Sequence, residues 1–232
     1  MFGLRWLLLC VLFASLPAAV VVSQPAPPPA DLMDALRLGG YVIVLRHGET
    51  NSDVPNADPM SNPGKKPAGE RQLNVHGRAQ ARAIGQALRG LGIPVGLVMT
   101  SPLQRAVDTG TLLGFGDVTT TADLAEAGAA VSREENNRRA AALRGLVSLH
   151  PPVDTNFVIV THKPNLIEAF GDSLADIREG EAAVFEPDFT DEGYRLMARF
   201  QVSDWDLLVQ ASHAEELNSA PHCVRPVQPN YD

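Results

Sequence analysis

Tyr41–Thr50 reads YVIVLRHGET, and this stretch decides the fold. Tyr41 to Leu45 is a run of aromatic and aliphatic residues rich in β-branched side chains, which favours a buried strand over a helix. The run stops at Arg46-His47-Gly48 and gives way to a polar stretch containing Pro, Asn and Asp. A strand that ends in this way delivers Arg, His and Gly to the rim of a sheet, where ligands bind in open α/β folds. Arg offers a planar fork of donors suited to phosphate or carboxylate. His can act as nucleophile or proton carrier near neutral pH, and Gly lets the backbone turn or approach a ligand closely. Taken alone, the tripeptide also fits an ordinary strand exit with two solvated side chains.

Working outward, Asp31–Leu38 has a cap candidate, apolar spacing and a Gly39-Gly40 stop, so a short helix precedes the strand. Residues 48–70 form a long irregular stretch that leaves directly from Arg46-His47 and is expected to cover a site. Leu73–Leu91 reads as a helix capped by Asn74, with Val75, Ala79, Ala83, Ile84, Ala87, Leu88 and Leu91 on one apolar stripe. Val95–Thr100 is a second strand, and Leu103–Leu113 a helix with Pro102 at or near its first position. Val118–Ala122 is a short third strand, Ser132–His150 an amphipathic helix, Phe157–Thr161 a fourth strand and Asn165–Phe170 a helix. Ala182–Glu186 and Arg195–Val202 read as two further strands, and Asp204–Gln210 as a short helix. Strands alternating with helices imply a three-layer α/β/α sandwich with a mostly parallel sheet.

The composition, 45% hydrophobic and 20% charged over 232 residues, is that of a globular protein. A formal net charge of -8 argues against nonspecific nucleic-acid binding, so no nucleic-acid partner is expected. Met1–Val22 has the layout of a secretory signal peptide: Arg5, the apolar run Trp6–Phe13, then small residues and Pro17. The cut is expected near Ser23, leaving an exported, periplasmic or extracellular protein without stable membrane insertion. The alternative is an uncleaved anchor, for which Trp6–Val22 is short. Cys10 leaves with the leader and Cys223 stands alone, so neither an intramolecular disulfide nor a cysteine metal site is expected. The expected organisation is a leader over residues 1–23, a proline-rich linker over 24–30, one domain over 31–210, and a loosely ordered tail over 211–232. Nothing in the sequence specifies an oligomeric state.

Three strands end alike. Arg46-His47 follows YVIVL, Ser101-Pro102-Leu103-Gln104-Arg105 follows VGLVMT, and His162 follows FVIVT. In a parallel sheet these ends lie at one edge, so two Arg and two His converge there. Two guanidinium and two imidazole groups facing one point make an oxyanion site, most naturally for a phosphoryl group. Arg105, in the first turn of a helix, would bring that helix's positive end near the anion. Two His could in principle bind zinc, but the neighbouring Arg side chains oppose a cation, so neither metal nor cofactor is expected.

At this point the chain resembles the histidine phosphatase superfamily, the phosphoglycerate mutase-like proteins, over about Asp31 to Val202. The resemblance rests on Arg46-His47-Gly48-Glu49-Thr50, on Leu73-Asn-Val-His-Gly77-Arg-Ala-Gln80-Ala81, on Thr100-Ser-Pro-Leu-Gln-Arg105-Ala and on Thr161-His162. It implies that His47 is the nucleophile that becomes phosphorylated, and that Arg46, Arg105 and His162 hold the phosphoryl oxygens. The general acid, which protonates the leaving oxygen and then helps activate water, would be Glu126, with Asp123 as the other choice. Lys163 follows the second His where a second branch of the family carries an acid, so the resemblance is to the first branch. Asp53 stands where the family often has Asn; Asn51 lies close by and is a candidate phosphate ligand.

The mutases' Glu-Arg-x-Tyr-Gly signature is missing between Thr109 and Arg139, which favours water as the phosphoryl acceptor. The leading expectation is thus an exported, metal-independent enzyme acting on a small phosphomonoester. The alternatives are a noncatalytic phosphate-binding or scaffold protein and a phosphoglycerate mutase. Specificity is expected to lie in residues 51–70 and 127–139, while Lys65, Lys66 and Arg71 read as a solvated loop face, the alternative being added positive charge at the mouth of the site.

Overall fold

The structure is a computed structural model that describes residues 30–51, 70–128 and 131–219. Its centre is the predicted strand, β1 (Val42–Arg46), whose residues Val42, Ile43, Val44 and Leu45 are each fully buried. A strand apolar on both faces must be covered on both. Ile43 and Leu45 point into one core, Val42 and Val44 into the other. On the first face pack α1 (Ala30–Leu38), α2 (Val75–Gly90), α3 (Gln104–Leu113) and α6 (Val202–Ser219), through Leu36, Ile84, Leu113 and Trp205. On the second face α4 (Arg133–Val147) and α5 (Lys163–Phe170) contribute Leu143, Val147, Leu166 and Ala169. The three-layer α/β/α architecture expected from the sequence is present.

The remaining strands are β2 (Val95–Thr100), β3 (Val118–Thr120), β4 (Asn156–Thr161), β5 (Ala182–Pro187) and β6 (Tyr194–Phe200). They form a six-stranded sheet in the order β3-β2-β4-β1-β5-β6. β1 to β4 are mutually parallel, and β5 and β6 add an antiparallel flank. The chain moves outward from β1 to β2 and β3 along α2 and α3, then returns to β4 along α4 on the other face. That reversal opens a crevice at the carboxyl ends of the strands. The register levels these ends: Arg46 lies opposite Thr161, and Thr100 opposite Val160 and Thr120. His47, Ser101 and His162 therefore emerge side by side.

Several local expectations are corrected. α6 begins at Val202 and runs to Ser219, so Ala211–Ser219 is helix rather than loose tail. Trp205 is fully buried and tilted against Phe200 with ring centroids 4.6 Å apart, which anchors the helix; the prolines that suggested looseness start only at Pro221. Residues 220–232, like the leader, lie outside the described residues. The stripe of α2 is also different. Val75 is 82% exposed and Ala79 is exposed, while Gly77, Ala81 and Gly85 are buried. The helix is drawn in by its glycines: a Cβ on Gly77 would lie 2.1 Å from the Glu49 carbonyl oxygen, and one on Gly85 2.0 Å from that of Leu113. α3 starts at Gln104 with Leu103 as its cap, so Pro102 lies just before the cap rather than at the first helical position, and Leu103 N–H donates to Ser101 Oγ at 3.2 Å. α5 starts at Lys163, with Pro164 in its first turn, where a missing N–H costs nothing.

Candidate active site

The loop after β1 is held by the start of α2. Asn74 caps α2, its Oδ1 accepting from Gly77 N–H at 2.8 Å, and its Nδ2 donates to Glu49 Oε1 at 2.7 Å. Gln80 Oε1 accepts from Glu49 N–H at 2.9 Å. Gly48 and Gly77 bring the two backbones together: a Cβ on Gly48 would sit 2.6 Å from Gly77 O. This is the physical content of the Leu-Asn-x-x-Gly-x-x-Gln pattern. Gly48 N–H donates to Thr109 Oγ1 at 3.1 Å, and that hydroxyl donates to Arg105 O at 2.7 Å, tying the loop to α3.

His47 is 3% exposed. Its Nδ1 lies 2.9 Å from Gly48 O, a contact that requires Nδ1 to carry the proton. Nε2 then holds the lone pair, and Arg105 Nε–H points at it from 3.3 Å. Burial, then the Arg105 charge, drives the imidazole down to about 3, with Arg46 and Arg71 adding to the effect against the Gly48 carbonyl. At neutral pH His47 is an uncharged base with its lone pair on Nε2.

His162 is fully buried, its ring centroid 5.2 Å from that of His47. Burial, then the neighbouring His47 and Arg charges, keeps it well below the usual imidazole value. Its Nε2 is 2.8 Å from Ser101 Oγ. That hydroxyl also accepts from Leu103 N–H. Among the described residues, His162 Nδ1 and Arg46 Nε are buried polar atoms without a hydrogen-bond partner. Such atoms are costly unless something else fills the position.

Arg46 donates to Ile177 O at 2.9 Å and pairs with Glu179 at 3.2 Å. Arg105, 1% exposed, pairs with Glu126 at 2.7 Å and with Glu70 at 3.6 Å. Burial lowers both guanidinium groups, opposed by Glu179 for Arg46 and by Glu126 and Glu70 for Arg105. Both remain cations.

Of the residues singled out by sequence, His47, Arg46, Arg105, His162 and Glu126 are thus gathered at one sheet edge. Asn51 is not: its side chain is exposed beyond Thr50. Asp123 turns away to pair with Arg138 on α4, while Glu126 faces Arg105. Asp53, Lys65 and Lys66 lie outside the described residues. Arg71 is no solvated loop residue: it donates to Thr50 Oγ1 and pairs with Glu179 at 2.9 Å, beside Arg46. Ser101, Thr109, Glu179, Asn165 and Arg139 were not anticipated. Thr109 had a signal, since it lies four residues after Arg105 on the same helix face. Glu179 had none.

Among the described residues no group of three or more His, Cys, Asp or Glu side chains is arranged to hold a metal ion. Among them, too, no helix is long and apolar enough to cross a membrane.

The family model of the histidine phosphatase superfamily (branch 1) matches residues 42–142. The fold is that of solved phosphoglycerate mutase-like structures. One is the protein histidine phosphatase SixA complexed with tungstate (18% identity, TM-score 0.50, covering 71% of this chain and 98% of that one). Others are the mycobacterial glucosyl-3-phosphoglycerate phosphatase with inorganic phosphate (17%, 0.51, 71% and 99%) and the Entamoeba histolytica phosphoserine phosphatase with 3-phosphoglyceric acid (15%, 0.50, 71% and 98%). No curated protein matches the chain.

Proposed function

We propose that this protein is a metal-independent phosphatase that hydrolyses phosphomonoesters through a phosphohistidine on His47. The observation that carries the reading is the state of His47: uncharged, Nδ1–H bound to Gly48 O, Nε2 presented beside Arg105, with the buried donor Arg46 Nε and the buried ring nitrogen His162 Nδ1 both without a protein partner. The structures of similar fold solved with phosphate, tungstate or a phosphorylated acid agree with an oxyanion as the ligand.

In the first step Nε2 attacks phosphorus, the bond to the ester oxygen breaks, and Glu126 gives its proton to the departing oxygen. Arg46, Arg105 and His162 hold the three phosphoryl oxygens, where charge is concentrated in the transition state. Arg105 links the two reacting groups, donating toward His47 Nε2 and to Glu126 Oε2. In the second step water attacks the phosphohistidine, Glu126 takes its proton, and the N–P bond breaks to return neutral His47 and release phosphate. The apolar leader over Met1–Val22 supports export, and hence work in the periplasm or outside the cell.

The test is hydrolysis of p-nitrophenyl phosphate in excess chelator, beside His47→Gln. Turnover that survives the chelator, with an acid-labile phosphoryl group trapped on the wild type and absent from the variant, is expected. Equal activity in the two proteins would overturn the role of His47, and loss of activity to the chelator would overturn metal independence.

A further inference from the structure

The acid's own loop is held in an unusual way. Leu124 ends a 3₁₀ turn and residues 125–128 after it form no regular structure, so the backbone groups of this stretch need outside partners. Each of the five residues receives one from a side chain distant in sequence. Thr161 Oγ1 donates to Leu124 O at 3.0 Å, and Asn165 Nδ2 to Ala125 O at 2.8 Å. Arg139 donates to Glu126 O at 2.7 Å, and Asn165 Oδ1 accepts from Ala127 N–H at 3.0 Å. Asn136 closes the series, accepting from Gly128 N–H and donating to Gly128 O, both at 3.0 Å. Thr161, Asn165 and Arg139 are themselves buried. Arg139 is in turn anchored by Glu135 at 2.8 Å.

We propose that Asn165 and Arg139, supported by Asn136, are positioning residues for proton transfer: they clamp the peptides on both sides of Glu126 and so aim its carboxyl at the leaving oxygen. The proposal rests on the reading of Glu126 as general acid. Glu126 is tethered at both ends, by its carbonyl to Arg139 and by its carboxylate to Arg105. The second tether is shared with the phosphoryl site, so when a phosphoryl group draws on Arg105 the backbone clamp still holds the peptides on both sides of Glu126. A general acid is worth about 10² to 10⁴ in rate, and a misplacement of about 1 Å can forfeit about 10² of that.

The leaving group separates positioning from mere scaffolding. p-Nitrophenolate departs without a proton, whereas the alkoxide of β-glycerophosphate needs one. kcat/KM reports the steps up to that departure, so dephosphorylation of His47 does not enter it. The experiment compares kcat/KM for both esters in wild type, Asn165→Ala, Arg139→Met, Arg139→Lys and the control Glu126→Gln, with thermal melts to confirm folding.

Glu126→Gln is expected to lose about 10² or more on the alkyl ester and far less on the aryl ester. Asn165→Ala and Arg139→Met are expected to show the same bias, about 10- to 100-fold against less than about 3-fold. Arg139→Lys, which keeps a donor, is expected to recover part of the alkyl activity. Equal losses on both esters in the folded clamp variants, while Glu126→Gln keeps its bias, would overturn the clamp and leave the acid standing. No bias in Glu126→Gln would overturn the acid reading and the clamp with it. Should Asn165→Ala fail to fold, the Arg139 pair decides alone.

Discussion

The Arg46-His47-Gly48 turn and the Glu126 loop converge on Arg105, yet they are held by opposite means. The turn is located by backbone against backbone: Gly48 and Gly77 meet so closely that neither site has room for a Cβ. The loop is located by side chains reaching in from β4, α4 and α5. Close backbone approach is rigid and all-or-none, which suits the proposed role of His47 as a nucleophile that must hold one lone pair in line. Side-chain clamps are separable, so the position of Glu126 can be weakened one hydrogen bond at a time.

The comparison is broken most severely at Gly77→Ala. Its new Cβ would lie 2.1 Å from Glu49 O, backbone that has no flexible end to yield. A loss of about 3 kcal/mol in urea unfolding is expected, with phosphatase activity down by about 100-fold as the turn shifts. A near-native melt and rate would show that the glycine contact is incidental.

Acid should also act on the turn. His47 titrates at about 3 in the folded protein against 6.5 when unfolded. Between those values the unfolded chain binds a proton that the native site refuses, so stability falls as pH drops below 6.5 and the loss levels off near 3. The slope from this one group is roughly 1.4 kcal/mol per pH unit. Urea midpoints measured from about pH 7 to 4 should therefore fall less steeply in His47→Gln than in wild type. Parallel curves would place the proton elsewhere.

Thr109→Val sharpens the contrast within the turn. It strips the Gly48 N–H of its acceptor without changing side-chain shape, at a cost of about 1–3 kcal/mol by thermal or urea unfolding. The smallest effect belongs to the loop. Thr161→Val removes one of its supports, the donation to Leu124 O, and should cost about 1 kcal/mol. Activity should stay within about 3-fold, because Asn165, Arg139 and Asn136 still hold the peptides next to Glu126. A larger drop in rate would mean that the clamp is as cooperative as the glycine contact.

Much of this site was legible because its pieces are local. Arg46, His47 and His162 stand at the ends of apolar runs, and a buried strand carries its last residues and their immediate successors to the sheet's edge. Asn74 announces a helix start, and Glu126 comes shortly after a brief strand. The features that escaped were of another kind. The apolar stripe drawn for α2 ignored glycines, whose burial comes from the backbone they admit rather than from hydrophobicity. Arg71 looked like a loop cation until Glu179, brought in by the segment before β5, paired with both it and Arg46. The reach of α6 was missed because Ala211–Ser219 has no clear stripe, and Trp205 docking carries the helix past it.

By itself, then, the sequence determined the alternation of strands and helices, the sheet edge where the chemistry gathers, and the residue types available there. Periodicity and the obligatory exit of a buried strand at the sheet's rim are enough to dictate these. Tertiary structure alone decided the tautomer of His47, the choice of Glu126 over Asp123 to face Arg105, the pairing of Arg46 with Glu179, and the side chains that clamp the acid's loop. Each of these is a contact between segments far apart in the chain or a consequence of burial. Its energy exists only once packing has excluded water and brought the partners within hydrogen-bond reach.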